Sequence, residues 1–186
     1  RGIPTAVTPA TTPALDRATV RKLDEHGVRR MAVSLDGASA RRHDEFRGET
    51  GTFERAIEAA AYAEEVGLPI QVNTTVTAET VSRLPEIANL VEYLGAAAWE
   101  VFFLVPIGRG TELEQISPER AREVMAWLHE RQEDAPFRVI TVEAPFYRRV
   151  ALEATEDHSG RQPGTTGAGK GFVFVSHTGE VFPSGF

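Results

Sequence analysis

With 186 residues, 41% hydrophobic and 25% charged, the chain has enough apolar material for a folded core and suits one domain, or one domain plus the start of another. A formal charge of -7 excludes nucleic acid as the main partner, because phosphate binding calls for a basic face. No apolar run nears the roughly 20 residues that span a bilayer, no signal-peptide pattern opens the chain, and there is no cysteine; membrane insertion, disulfides and thiolate ligation within these residues are excluded, with the cytoplasm as default.

In chain order, short β-rich runs fall at about Pro4–Thr8, Met31–Leu35, Ile70–Val76, Trp99–Val105 and Arg138–Val142, with helical segments between them. Arg17–His26 has Asp16 as N-cap and Gly27 as stop, and Phe53–Val66 follows Thr52 and stops at Gly67. Val81–Leu94 aligns Leu84, Ile87, Ala88 and Val91, with Pro85 in its first turn. The clearest helix opens at Ser117 and Pro118 and aligns Ala121, Val124, Met125 and Leu128. Successive strands bridged by helices predict right-handed βαβ units and a parallel α/β sheet, either a barrel arc or a doubly wound open sheet. In both, ligands bind at the strand C-termini.

The repeating pattern covers 1–150. From 151 to 171 the chain is rich in Gly, Thr and charge and reads as a flexible connector, and 172–186 reads as a β-hairpin turning at His177–Gly179. The first residue is Arg1 and the last, Phe186, falls in that strand pair, so both ends are expected to be cut.

Polar clusters sit at four strand ends: Thr8 to Thr12, Ser34-Leu35-Asp36-Gly37, Asn73-Thr74-Thr75, and Pro106 to Gly110. Helix caps and turns use the same residue types, but four clusters in register suit one polar rim around a ligand with hydroxyl, amine and carboxylate groups. Arg47 is placed to clamp a carboxylate. His43 and Asp44 are expected to be solvated loop residues. Gly164 to Gly171 approaches a phosphate-binding loop, but Gly171 replaces the magnesium-binding hydroxyl and a strand follows where a helix is required. The other histidines lack metal-ligand spacing, and neither paired carboxylates nor G-x-S-x-G is present.

The stretch Val33-Ser34-Leu35-Asp36-Gly37, then His43-Asp44-x-Phe46-Arg47-Gly48 and Gly51-Thr52-Phe53, resembles radical S-adenosylmethionine (SAM) enzymes with a SPASM or Twitch C-terminal extension. Val72 to Val76, Val105 to Gly110 and the hairpin from Gly171 extend the match, which is nearest to haem-biosynthesis-like members; peptide-modifying maturases share many of the motifs. The resemblance implies a partial (β/α)6 barrel entered at its third strand. It also implies a parent enzyme that cleaves SAM reductively to a 5′-deoxyadenosyl radical for hydrogen abstraction, using a 4Fe–4S cluster and an electron-donor protein. The substrate would be a porphyrin-like molecule with altered side chains, or a peptide. The cluster's C-x-x-x-C-x-x-C loop and the loop gripping the methionine amine are absent, so these residues alone are expected to hold no cluster and to be inactive.

By the same resemblance Ser34 and Asp36 would contact the ribose or methionine of SAM, and Arg47 its carboxylate. Asn73 and Thr75 would face the same ligand, Pro106 would approach the adenine, and Thr8 and Thr11 would line the rim. A non-catalytic βα-barrel binding or scaffold domain is the alternative from another class. An isomerase or aldolase fits less well, since the only lysines, Lys22 and Lys170, are poorly placed.

Overall fold

The computed structural model describes residues 2–154 and 173–183. It divides into two compact units, Arg1–Ala144 and Pro145–Phe186. The first carries strands β1 (Thr5–Val7), β2 (Val28–Ser34), β3 (Ile70–Val76), β4 (Ala98–Phe103) and β5 (Arg138–Val142). Its helices are α1 (Arg17–Glu25), α2 (Ala40–Arg47), α3 (Thr52–Val66), α4 (Leu84–Tyr93) and α5 (Pro118–Asp134).

All five strands are parallel, in the order β1-β2-β3-β4-β5. A doubly wound sheet reverses its strand order at a switch point, whereas here each strand pairs with the next in sequence. The sheet is therefore a barrel arc, and every strand ends on the same edge.

Local chemistry accounts for the elements. Asp16 accepts the Thr19 N–H at 2.8 Å and starts α1, and Ser117 accepts that of Arg120 at 3.2 Å and starts α5. Gly67 closes α3 at φ 74°, a left-handed conformation that costs side-chain-bearing residues about 1 kcal/mol or more. The predicted apolar stripe of α4 is buried as a set, Leu84, Ile87, Ala88 and Val91, while Val81–Arg83 before it is a separate 3₁₀ turn. Helix α2 was not expected. Its sequence, Ala-Arg-Arg-His-Asp-Glu-Phe-Arg, has almost no apolar stripe, and its one fully buried side chain is His43. It is helical because of what that histidine and its neighbours bond to.

The strands have two unlike faces. In β3, Ile70, Val72, Thr74 and Val76 are buried, while Gln71, Asn73 and Thr75 alternate with them, half-buried on the other face. Trp99 of β4 is fully buried and meets Trp127 and Phe137 edge-on at 6.1 and 6.3 Å between ring centroids. Its indole N–H donates to the Thr74 hydroxyl at 2.9 Å, and that hydroxyl donates to the Leu35 carbonyl at 2.7 Å. One threonine thus satisfies two buried groups from neighbouring strands.

The second unit contains helix α6 (Tyr147–Ala154) and an antiparallel pair, β6 (Phe174–Val175) with β7 (Val181–Phe182), turning through Gly179 at φ 86°. The hairpin is where the sequence placed it, but α6 was not foreseen and takes in the start of the expected connector. The rest of that connector, the phosphate-loop-like Gly164 to Gly171, and both ends of the 172–186 stretch lie outside the described residues.

Thr74→Val keeps the shape but removes both bonds, leaving the Trp99 N–H and the Leu35 carbonyl buried without their partner. We expect a loss of about 1–3 kcal/mol in urea unfolding; a change within error would show that the bridge is dispensable.

Candidate functional site at the strand C-termini

The four polar clusters lie at or just beyond the C-terminal ends of β1, β2, β3 and β4, which are adjacent, so they share one edge of the sheet. Ser34 and Asn73 are register partners, and Thr75 lies two residues further along β3 on the same face; all three are half-buried. Thr8 follows β1 and is exposed, as is Pro106 beyond β4. Thr11 is half-buried, and its carbonyl accepts the Arg55 Nε–H at 2.7 Å. Among the eight residues singled out from sequence, Asp36 is joined through its carboxylate to Arg47 and to the Thr75 backbone.

Asp36 has a fully buried side chain. Where β2 leaves the sheet after Ser34, its Oδ1 accepts the Thr75 N–H at 2.7 Å and so continues the β2–β3 ladder with a side chain. The Arg47 guanidinium stands 2.5 Å from Oδ2. This ion pair is the partner of the buried Oδ2. Arg47 keeps 37% of its side chain exposed.

His43 and Asp44, expected to be solvated, are both engaged. His43 is buried, and its Nδ1 accepts the Asp36 N–H at 3.1 Å, which requires the neutral ring with hydrogen on Nε2. Burial lowers its pKa; Asp36 opposes that shift and Arg47 adds to it. Asp44 accepts the Gly51 and Phe53 N–H groups at 2.6 and 2.9 Å and the Thr52 hydroxyl at 2.8 Å, capping α3 from outside the helix. Burial alone would raise its pKa, but these three donors and His43 hold it below the usual carboxylate value. Adjacent residues could do this because α2 aims one back at the strand end and the other at the next helix. Gly37 permits the return: a Cβ there would sit 2.7 Å from the His43 backbone nitrogen.

Sequence reasoning missed a polar row below the rim. Arg30 of β2 donates to Gln71 Oε1 at 3.2 Å, and Gln71 Nε2 donates to Glu100 Oε2 of β4 at 2.6 Å and to Asn73 Oδ1 at 2.8 Å. Desolvation raises the Glu100 pKa, partly offset by the Gln71 bond and the Arg30 charge. The signal was available: Gln71 lies in phase with Asn73 and Thr75 in a period-two pattern, and Glu100 is a lone acid within Ala-Trp-Glu-Val-Phe-Phe. Beside Glu100 the same face turns apolar, with half-buried Phe102, Ile140 and Val142.

An arc of parallel strands with its polar groups gathered at the C-terminal edge is part of a βα-barrel, a fold whose ligand sites lie at that edge. Residues 4–91 match the family described as the Radical SAM superfamily. It is 37% identical over 177 residues to the AdoMet-dependent heme synthase of Methanosarcina barkeri, covering 90% of this chain and 51% of that protein. Against the protein of the same name from Oleidesulfovibrio alaskensis it is 38% identical, covering 89% and 46%. The chain therefore spans about half the length of the curated relatives it matches. More distantly, it is 26% identical to the PqqA peptide cyclase of Gluconobacter oxydans, covering 91% of this chain and 45% of that one. In fold it resembles the crystal structure of Streptococcus suis SuiB, with TM-score 0.72 and 16% identity over 98% of this chain and 44% of SuiB. The SAM-bound form of SuiB superposes with TM-score 0.61 and 18% identity over 75% of this chain and 31% of SuiB.

The buried neutral His43 makes a signed prediction. The unfolded imidazole takes a proton near the ordinary value of 6.5, before the folded one does. Its contribution to stability is complete above that value and falls as the pH drops toward the lowered folded value. His43→Gln retains an acceptor for the Asp36 N–H, so thermal unfolding between about pH 7.5 and pH 5 should show a shallower acid loss in that variant. Equal slopes would remove His43 as the source.

Proposed function

We propose that these residues form the SAM-binding part of a radical SAM enzyme acting on the side chains of a porphyrin-like substrate. The observation that carries the reading is the convergence of Ser34, Asn73, Thr75 and Arg47 with the ends of β1 and β4 on one edge of the arc. That donor set fits SAM: hydroxyls and a carboxamide for the ribose, and the part-exposed Arg47 side chain for the methionine carboxylate. Asp36 is occupied by Thr75 and Arg47, so its part is to hold the guanidinium and the β3 end in place. Thr8 and Thr11 extend the rim along β1, and the Pro106 turn offers backbone groups to the adenine.

In the complete polypeptide, SAM cleaved reductively at a 4Fe–4S cluster would supply a hydrogen-abstracting 5′-deoxyadenosyl radical. The chain has no cysteine, and no group of three potential metal ligands gathers among the described residues. The cluster thiolates would therefore come from outside these 186 residues, and the role of this chain is binding, orientation and exclusion of water. The porphyrin-like substrate is favoured by the 37% and 38% identity to heme synthases and by the apolar Phe102–Ile140–Val142 side of the concave face, which suits a broad apolar ligand. The second reading, a peptide-modifying maturase, is supported by the 26% identity to a peptide cyclase. The reaction would also need an electron-donor protein.

The test uses the complete polypeptide, reconstituted with iron and sulfide without oxygen. SAM with a strong reductant should yield 5′-deoxyadenosine, and its absence would count against the radical reading in favour of a binding domain. Ser34→Ala and Arg47→Ala should each weaken SAM binding, by about fivefold and about tenfold or more respectively. Unaltered affinity in titration calorimetry removes the residue from the site.

A further inference from the structure

We infer that Arg30, Gln71 and Glu100 are positioning residues that fix the orientation of the Asn73 carboxamide, so that Asn73 meets its ligand with its N–H donors and not with its oxygen. The inference rests on the reading of Asn73 as a contact to SAM, and it specifies which part of that ligand Asn73 can meet.

The argument begins at Arg30, whose guanidinium can only donate. The Gln71 amide atom 3.2 Å from Arg30 Nη1 must therefore be oxygen. This turns Gln71 Nε2 toward Glu100 Oε2 at 2.6 Å and Asn73 Oδ1 at 2.8 Å. Its two hydrogens are then both used. The reverse orientation would set amide oxygen against carboxylate oxygen at Glu100 and donor against donor at Arg30, so the two charged groups hold one orientation from opposite sides. Asn73 inherits that choice. Its oxygen must face Gln71, two residues back on the same face, which leaves Nδ2 turned toward the C-terminal edge beside its register partner Ser34. Among the described residues no bond to Asn73 Nδ2 occurs, although the side chain is half-buried. A half-buried donor pair left open at a rim is placed to meet an acceptor. In SAM the ribose oxygens and the methionine carboxylate qualify, and the ammonium is excluded.

The experiment measures SAM affinity by calorimetry in the cluster-loaded complete polypeptide without reductant, together with its unfolding temperature. Asn73→Ala comes first: unchanged affinity would sink the contact itself and the relay with it. Where Asn73→Ala weakens binding, Gln71→Glu should weaken it about tenfold or more, since an acceptor then faces Asn73 Oδ1 and Glu100. Glu100→Gln leaves an acceptor in place and should cost only about two- to threefold. In the double variant Gln71→Glu, Glu100→Gln, the new carboxylate accepts from both Arg30 and the new amide. The unfolding temperature should recover while SAM affinity stays low, because Asn73 still lacks its donor. Recovery of affinity along with temperature would reduce the row to fold support and overturn the inference. So would a loss in Glu100→Gln as large as in Gln71→Glu, or wild-type affinity in Gln71→Glu.

Discussion

The buried carboxylate of Asp36 is the contact on which the rest of the rim depends. At the point where β2 leaves the sheet, a peptide carbonyl can no longer meet the next N–H of β3, and the Asp36 side chain takes that bond from Thr75. A buried charge is tolerated only when paired and hydrogen-bonded, so Asp36 requires Arg47, and Arg47 must arrive from a helix that folds back over the strand end. Helix α2 supplies it, held by His43 on the Asp36 N–H and admitted by the missing Cβ of Gly37. Asp44 carries the constraint into α3 by capping its start. A carboxylate that completes a strand ladder thus sets the positions of two helices and of one cation at the ligand edge.

The same economy governs the two faces of the sheet. On the helix-covered face polar groups are few and are used twice, as Thr74 is between Trp99 and Leu35. On the concave face polar groups are linked in a row across three strands, from Arg30 through Gln71 to Asn73 and Glu100, and give way to apolar residues toward β5. This surface is polar where β2 and β3 end and apolar beside β4.

Much of this was legible in the sequence. The period-two run from Ile70 to Val76, the stripe of α4, the caps at Asp16 and Ser117 and the stop at Gly67 all express local preferences, which is why β3 and β5 begin and end where the pattern places them. The succession of strand, helix and strand implied a parallel α/β sheet whose polar strand ends share one edge. Motif resemblance then pointed to the superfamily that residues 4–91 match.

Two things were decided only by the tertiary structure. One is the use of individual polar residues. His43 and Asp44 read as solvated because adjacent side chains on a helix diverge, and only the placement of α2 between a strand end and the start of α3 gives each its own partner. The other is the row below the rim. Arg30, Gln71 and Glu100 lie 41 and 29 residues apart in the chain, and the register of three parallel strands brings them together. Hydrophobic periodicity encodes which face a residue occupies. It carries no information about which residue of the next strand stands opposite, because that depends on how the helices between them pack.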